Sequence, residues 1–386
     1  MPLSNDVFAY HTSHNSSVCY LKDGKVDWSL EEERVSRQKH DQRPYLTISE
    51  YLKDVPGWIL HSCLVYPDDI DAANKVMAFC NGLIFKMISK DKRIDKTPVF
   101  EDGELTVLCK TNESPNMMDC SEEHHLYHAS IGFYNSGFKE AAVLVVDGAG
   151  AWTDKCAHEV ETIYKASYPH SFEKLHKRSV PWQNLLDKHT ISNPTSGIGM
   201  AYSGVSAFLG FGTLECGKLM GLASYGEDDP NIKPFLVDGQ IDESLWKRNK
   251  HGVELLPYDY IADRSGWVEV LRKNETDPTK FQNLCNLAYR MQKDFETYMI
   301  NLIHKALELS GSNNIVISGG CALNCMANYE YLKHLPEGAK LYVEPVSSDA
   351  GISIGMAMHC WRHLTGSTEI YPLKNLYLGP ENEILL

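Results

Sequence analysis

The sequence predicts an α/β protein made of two duplicated lobes, with a ligand-binding cleft between them. Strand, polar loop, strand and strand follow one another near the N-terminus, and the same order recurs in the second third of the chain. Each block is followed by segments with helical spacing. The chain has 386 residues, which is enough for two lobes of roughly 150–200 residues each. A repeated α/β pattern of this kind predicts a duplicated fold that binds its ligand between the halves.

The first block comprises three short strands. Val7–Tyr10 is apolar, and Ser17–Leu21 and Lys25–Leu30 flank the dipeptide Asp23-Gly24. Asp-Gly between two β-prone segments is a strong hairpin signal. A helix is expected to follow at residues 70–90.

The second block repeats the pattern. Ala142–Val146 is a continuous Val-rich apolar segment, which is typical of a strand buried on both faces. Glu159–Tyr168 and Phe172–Val180 are predicted strands, and Ser196–Leu209 is a predicted helix.

Regular elements are also predicted in the last third of the chain. Apolar residues at helical spacing predict a long helix over Asn283–Ser310. Ile315–Ile317 and Leu341–Val343 are short apolar strands, and Ala350–Leu364 is a helix.

We therefore expect an N-terminal lobe at residues 1–140 and a C-terminal lobe at residues 141–375. The stretch 212–280 is rich in charge, Pro and Gly and shows no long periodicity. We interpret it as an insertion that covers the cleft. Residues 376–386 have the composition of a linker.

Composition limits the classes of function. No apolar segment approaches the roughly 20 residues of a membrane helix, and the N-terminus lacks the pattern of a secretory signal. Eleven scattered cysteines, without a Cys-x-x-Cys pair, favour reduced thiols and hence a cytoplasmic protein. The net charge of −14 argues against a nucleic-acid partner, because such proteins usually present a basic face.

A histidine pair is the sharpest chemical signal. His124 and His128 are separated by four residues, so a helix would project both imidazoles from one face, where they could share a metal ion. Asp147 follows a predicted buried strand, and Asp349 lies between a strand and a helix. Such a set suits Fe(II), Mn(II) or Zn(II). Simpler interpretations stay open: a histidine-rich surface helix, a turn residue at Asp147 and a helix N-cap at Asp349.

Further cleft residues are expected in the loops that follow strands. The glycine-rich turns at 147–150 and 318–320 could hold a phosphate on their backbone N–H groups. Neither turn matches the P-loop or the dinucleotide-binding motif, and each could be purely structural. His11 and His14 follow the first strand, in the position equivalent to Asp147. A cleft histidine is a natural general base.

Seven segments, in one order, resemble the NodU/CmcH family of O-carbamoyltransferases, which includes the tobramycin and cephamycin carbamoyltransferases. They are HNSS (14–17), EEERVSRQKHD (31–41), HHLYHA (124–129), VDGAG (146–150), GKLMGLASYG (217–226), GGCALN (319–324) and DAG (349–351). The segments span nearly the whole chain.

The resemblance implies the actin/Hsp70/sugar-kinase ATPase fold, with two RNase H-like lobes. It also implies an iron-type site, a general base and a residue facing the carbamoyl or phosphate group. The implied metal ligands are His124, His128, Asp147 and Asp349, the implied base is His14, and Lys39 would face the carbamoyl or phosphate group. Contacts to ATP or carbamoyl adenylate would come from Gly148, Gly150, Lys218, Gly319, Gly320 and Asn324.

The implied activity is O-carbamoyl transfer. The carbamoyl group would pass from carbamoyl adenylate, made from carbamoyl phosphate and ATP, to a hydroxyl of a small-molecule or nucleoside acceptor. Members of the family carry a second, YrdC-like domain that makes the adenylate. This sequence ends at Leu386, within what resembles the linker to that domain. We therefore expect only the transfer half-reaction here. The adenylate would come either from a separate YrdC-like synthase or from a YrdC-like domain of a longer chain of which this sequence is a part.

Two other functions stay open. An ATP-dependent kinase on the same fold would use Mg²⁺ and an Asp base, and a regulatory protein would bind a nucleotide without catalysis. A threonylcarbamoyl transferase acting on tRNA fits less well, because of the segments Glu31–Arg34 and Lys39–Asp41 and the acidic balance. The sequence does not identify the acceptor.

Overall fold

The computed structural model describes most of both predicted lobes. The described residues are 5–52, 57–64, 100–101, 104–105, 116–153, 157–181, 197–249, 252–255 and 278–380. The predicted helix at 70–90, residues 256–277 of the predicted insertion and residues 381–386 of the predicted linker lie outside them.

The first sheet has five strands. They are β1 (Val7–Thr12), β2 (Ser17–Lys22), β3 (Lys25–Glu31), β4 (Trp58–Cys63) and β7 (Asn116–Asp119). Between β4 and β7 in sequence, β5 (Phe100–Glu101) and β6 (Glu104–Leu105) form a separate short hairpin. Their order is β3-β2-β1-β4-β7. β1 to β3 are antiparallel neighbours, whereas β4 is parallel to β1 and β7 is parallel to β4. The predicted Asp23-Gly24 hairpin joins β2 to β3.

The second sheet repeats this topology. Its strands are β8 (Glu140–Val146), β9 (Trp152–Thr153), β10 (Ala157–Ser167), β11 (Ser171–Pro181), β16 (Asn314–Ser318) and β17 (Lys340–Val343). The main path is β11-β10-β8-β16-β17, with β9 paired to β10. Again the first three strands are antiparallel, and β16 and β17 add in parallel. Two hairpins lie between the halves of this sheet in sequence: β12 (Leu236–Val237) with β13 (Gln240–Ile241), and β14 (Trp246–Asn249) with β15 (Gly252–Leu255).

The helices connect and cover the sheets. They are α1 (Glu32–Ser36), α2 (Tyr45–Tyr51), α3 (His124–Ser136), α4 (Ile198–Phe208), α5 (Cys216–Ala223), α6 (Pro278–Ser310), α7 (Cys325–His334) and α8 (Ile352–Thr365). Short 3-10 turns occupy Ser121–Glu123, Glu243–Leu245, Gly320–Leu323 and Asp349–Gly351. No helix among the described residues is both long and apolar enough to cross a membrane.

β8 shows why the duplicated fold forms. Its residues alternate between two apolar cores: Ala142, Leu144 and Val146 face one that includes α6, and Ala141, Val143 and Val145 face the other, which includes α3 and α8. A strand covered on both faces must be apolar throughout, as the sequence indicates.

The two sheets share a core through α3 and α8. α3 packs on β8 and β16, α8 packs on β1 and β2, and the two helices pack on each other. Gly355 of α8 lies so close to the carbonyl oxygen of Tyr127 in α3 that a Cβ atom would overlap it. This close contact fixes α3 between the lobes.

The predicted fold class is confirmed: two mixed α/β lobes share one sheet topology, as in the actin/Hsp70/sugar-kinase fold. The lobe boundary at 140/141 stays a prediction, and α8 packs on the first sheet although it follows the second in sequence. Within 212–280, regular structure occurs where none was predicted. α5 has only eight residues, too few for apolar periodicity to stand out.

Candidate metal centre

Two histidines of α3 form one wall of the site. His124 and His128 are buried, and their imidazole Nε2 atoms lie 3.1 Å apart. The helical spacing therefore brings both rings to one face, as predicted. His125 points elsewhere: its Nδ1 is 2.8 Å from the hydroxyl of Thr162.

Asp147 forms the second wall, directly after β8. Its Oδ1 accepts hydrogen bonds from the backbone N–H groups of Gly148 (2.8 Å) and Gly320 (3.2 Å). Its Oδ2 lies 3.3 Å from Nε2 of His124 and 3.4 Å from Nε2 of His128. The two backbone donors thus turn one carboxylate oxygen away from the histidines and aim the other at them.

Asp349 forms the third wall, in the 3-10 turn that precedes α8. Its Oδ1 lies 3.5 Å from Nε2 of His124 and 3.6 Å from Nε2 of His128. Its Oδ2 faces the opposite way, 3.5 Å from Nδ1 of His14 and 3.7 Å from Nε2 of His11. One carboxylate therefore separates two pairs of histidines.

The four converging side chains fit a divalent metal ion. One ligand atom from each of His124, His128, Asp147 and Asp349 can be chosen so that all lie within 4.8 Å of one another. With metal–ligand distances of about 2.1 Å, neighbouring ligand atoms are about 3.0 Å apart in an octahedron and about 3.4 Å apart in a tetrahedron. The separations among His124, His128 and Asp147, 3.1–3.4 Å, fall in that range, and those from Asp349 to the two histidines, 3.5 and 3.6 Å, lie slightly beyond it.

The charges of the site also favour a cation. Burial alone would lower the pKa of the His124 imidazole, but the carboxylates of Asp349 and Asp147 outweigh burial and raise it to about 10. Burial would raise the pKa of both carboxyl groups, yet the surrounding histidines hold each below its usual range. A field that retains a proton on a buried imidazole also attracts a divalent cation, which would displace that proton.

His11 differs from the four candidate ligands. It is fully buried, and burial lowers its pKa to about 4, because the nearby Asp349 only partly offsets the cost of desolvation. Its Nδ1 lies 3.2 Å from the hydroxyl of Ser62 on β4.

A cleft of about 500 Å³ opens from this centre between the lobes. Its polar lining includes Asp147, Asp349 and His14. Its apolar lining includes Met200, Tyr202, Met220, Phe295 and Leu323. This arrangement suits a ligand with a polar reacting group and a flat apolar part.

The structure places some of the predicted ligand-binding residues in this cleft. His14, Lys39, Gly148, Gly320 and Asn324 line it. The N–H groups of Gly148 and Gly320 are already engaged by Asp147. The side chain of Asn324 caps α7 by accepting from the N–H of Ala327.

The other predicted residues lie outside the lining. Gly150 is buried and donates its N–H to the carbonyl of Glu159. Gly319 has a positive φ of 88°, and a Cβ there would press on the carbonyl of Val146, so its role in the turn is steric. Lys218 is paired with Glu215 at 3.2 Å.

Two polar side chains that contact residues of the cleft lining, Glu215 and Gln292, were not predicted from the sequence. Glu215 pairs with both Lys218 and Lys39, the latter at 2.6 Å across the mouth of the cleft. Gln292 of α6 exchanges hydrogen bonds with the Asn324 side chain and accepts one from Tyr202. Glu215 lies two residues before the GKLMGLASYG segment, which is the one sequence feature that points to it. Gln292 lies within an amphipathic helix, where no sequence feature distinguishes it from the other polar residues.

The sequence is similar to two nodulation proteins. Nodulation protein NolNO of Sinorhizobium fredii is 24% identical over 387 residues, covering 95% of this chain and 49% of that protein. Nodulation protein NolO of Bradyrhizobium diazoefficiens is 22% identical over 262 residues, covering 67% and 41%. The chain thus spans about half the length of these relatives or less.

Among solved structures, full-length HypF in its phosphate- and nucleotide-bound form superposes with a TM-score of 0.51 at 14% identity, covering 95% of this chain and 57% of that one. HypF of T. kodakarensis gives 0.50 at 14% identity, covering 95% and 49%. These likenesses show the fold.

Residues 89–358 match the family described as "Carbamoyltransferase N-terminus". That range covers most of the chain and includes all four candidate metal ligands. The chain therefore belongs to the carbamoyltransferase N-terminal domain family.

Proposed function

We propose that this protein transfers a carbamoyl group from carbamoyl adenylate to a hydroxyl of a small-molecule or nucleoside acceptor. The observation that carries the proposal is the convergence of His124, His128, Asp147 and Asp349 beside the cleft, in a chain of the carbamoyltransferase family. A kinase on the same fold would have no use for the histidine pair.

A divalent metal in this centre, Fe(II) or a similar ion, would supply Lewis-acid polarisation of the carbamoyl carbonyl and offset phosphate charge. Four side chains from three separate segments, His124 and His128, Asp147, and Asp349, would hold it. Asp147 would be kept in place by the N–H groups of Gly148 and Gly320, so those donors act on the ligand carboxylate.

His14 is the proposed general base. It lines the cleft and its side chain is 28% exposed, so an acceptor can reach it. Its Nδ1 faces the Oδ2 of Asp349 at 3.5 Å. A proton on Nδ1, directed at that carboxylate, leaves Nε2 as the basic nitrogen for the acceptor hydroxyl. Asp349 would thus orient the base as well as hold the metal.

The apolar lining of the cleft would hold the nucleotide part of the donor. Tyr202, Phe295 and Met200 provide the flat, dry surface that an adenine base needs. HypF has been solved with nucleotide and phosphate bound, which supports nucleotide use on this fold. Lys39 stands at the mouth of the cleft, where it can meet phosphate charge once it leaves Glu215.

The donor would come from a YrdC-like carbamoyl-adenylate synthase, either a separate protein or a domain of a longer chain. The acceptor is the second small-molecule partner, and we propose neither a membrane nor a nucleic-acid partner. The cytoplasmic location stays a prediction.

The test supplies carbamoyl phosphate, ATP and a YrdC-type synthase with candidate hydroxyl acceptors and follows products by mass spectrometry. The expected product has gained one carbamoyl group. His14→Asn should lower transfer by about 10²–10⁴-fold while metal content and AMP affinity stay within twofold of the wild type. His334→Asn, on the exposed end of α7, is the matched control and should retain full transfer.

Three outcomes would contradict the proposal. A phosphorylated acceptor would identify a kinase. Tight AMP binding without turnover of supplied carbamoyl adenylate would identify a non-catalytic regulator. Full activity of His14→Asn would remove His14 from the mechanism while leaving the reaction intact.

A further inference from the structure

His11 and Asp349 form a buried pair behind the metal centre. The Nε2 atom of His11 and the Oδ2 atom of Asp349 are both buried and have no hydrogen-bond partner among the described residues. They face each other at 3.7 Å. Leaving two buried polar atoms unpaired is unfavourable, so a shift of about 1 Å that brings them to hydrogen-bonding distance is favourable.

His11 is placed neither to act as a general base on a substrate in the cleft nor to serve as one of the four candidate metal ligands. It does not line the cleft, whereas His14 does, so it cannot reach an acceptor hydroxyl. It is also outside the converging set of four ligands. Its ring is held within the first sheet, where β1 runs parallel to β4 and His11 is in register with Ser62.

We infer that His11 is a positioning residue: it holds the Asp349 carboxylate so that Oδ1 faces His124 and His128 while Oδ2 stays turned toward His14. This inference rests on the metal centre of the proposed function.

The hydrogen-bonding chemistry fixes the direction of each contact. An ionised carboxylate can only accept, so the proton of the neutral His11 ring must be on Nε2. Nδ1 is then the acceptor of a hydrogen bond that the Ser62 hydroxyl donates, with 3.2 Å between the two atoms. The chain of contacts Ser62, His11, Asp349 thus connects β4 to the metal centre. Partners of this kind orient metal ligands, and their loss typically weakens metal binding 10–100-fold.

Gln and Leu at position 11 separate positioning from packing. A Gln amide nitrogen can take the place of the imidazole Nε2–H, whereas Leu fills the space and donates nothing. His61 is the matched control: it is also buried, lies on β4 beside Ser62 and stacks on Tyr10 with ring centroids 5.9 Å apart. Its ring contacts with Tyr10 and Asp119 involve neither Asp349 nor the other candidate ligands.

The experiment titrates the purified, metal-free full chain with Co²⁺ and records both affinity and the visible absorption bands that report coordination geometry. His11→Leu should bind Co²⁺ about 10–100-fold more weakly, with an altered spectrum. His11→Gln should recover most of the affinity, Ser62→Ala should lose a few-fold, and His61→Leu should match the wild type in both readouts.

The inference is overturned if His11→Leu binds Co²⁺ with wild-type affinity and spectrum. It is also overturned if His11→Gln is as defective as His11→Leu, because packing alone would then explain the loss. Should His11→Leu fail to fold, Ser62→Ala and His11→Gln still decide, since both keep the site filled. Absence of Co²⁺ binding by the wild type would instead refute the metal centre itself, and this inference with it.

Discussion

Glu344 is a buried carboxylate just after β17, and replacing it with glutamine should remove a pH dependence from the stability of the protein. Its Oε2 accepts from the Asn135 side chain (3.1 Å) and from the Tyr342 hydroxyl (3.3 Å), and its Oε1 accepts from the N–H of Val346 (2.9 Å). Burial nevertheless dominates, and it raises the pKa of this carboxyl group from 4.5 to about 7.

The sign and size of the effect follow from proton linkage. Between pH 4.5 and about 7, the folded protein keeps a proton on Glu344 that the unfolded chain has released. The free energy of unfolding should therefore fall as the pH rises through this window, and level off above it. One pKa unit corresponds to about 1.4 kcal/mol, so the loss is about 3 kcal/mol in total.

The assay is urea unfolding of the metal-free protein at pH 5, 6, 7 and 8, comparing the wild type with Glu344→Gln. Glutamine cannot satisfy all three partners and should cost about 1 kcal/mol at pH 5. Relative to the wild type it should then gain stability as the pH rises. Glu337→Gln, an exposed glutamate near the end of α7, is the control and should follow the wild-type slope. Parallel curves for Glu344→Gln and the wild type would refute the reasoning.

Two further substitutions test the cleft mouth and the contact between α3 and α8. Glu215→Gln frees Lys39 and Lys218, so the variant should bind AMP a few-fold more tightly than the wild type at low salt. At 0.5 M NaCl the two proteins should bind AMP equally, because the Debye length is then about 4 Å and exposed charges are screened. Isothermal titration at both salt concentrations measures this, and weaker AMP binding by the variant would mean that Glu215 positions the lysines. Gly355→Ala should destabilise the protein by about 1–3 kcal/mol through overlap with the α3 backbone, and it should lower the Co²⁺ content. The control is Gly221→Ala, in a helix with open space around that position, which should be neutral in thermal unfolding. Equal stability of the two variants would contradict this packing argument.

Local patterns in the sequence were sufficient to find the histidine pair and the strands β1 to β3, β8, β10, β11, β16 and β17, but they did not indicate β4 and β7 of the first sheet. A continuous apolar segment indicates a buried strand such as β8. Two histidines at positions i and i+4 converge as soon as the segment that carries them is helical. Asp147 and Asp349 could be assigned to the same site because ligand groups of α/β proteins collect where strands end. The resemblance to carbamoyltransferases then supported all four positions together.

The contacts that refine the site could not be predicted in this way, because they join residues far apart in sequence. Ser62 meets His11 from the neighbouring strand, and Glu215 meets Lys39 from the opposite lobe. No periodicity or spacing encodes such pairs. The glycine-rich turns are expected from the sequence to hold phosphate on their backbone donors, and that role stays a prediction. The hydrogen bonds from the N–H groups of Gly148 and Gly320 to the Asp147 carboxylate are a separate contact that the turn pattern does not predict.

The duplication itself explains why a metal centre can form here. β1 and β8 occupy the same place in their two sheets, each between an antiparallel hairpin strand and a parallel strand. Their ends meet across the cleft, which brings His11 and the loop carrying His14 toward Asp147. α3 lies between the lobes and adds His124 and His128, which no strand end supplies. Asp349, at the start of the helix that returns to the first sheet, contacts the histidines of both groups. A single carboxylate therefore connects the proposed base to the candidate metal centre.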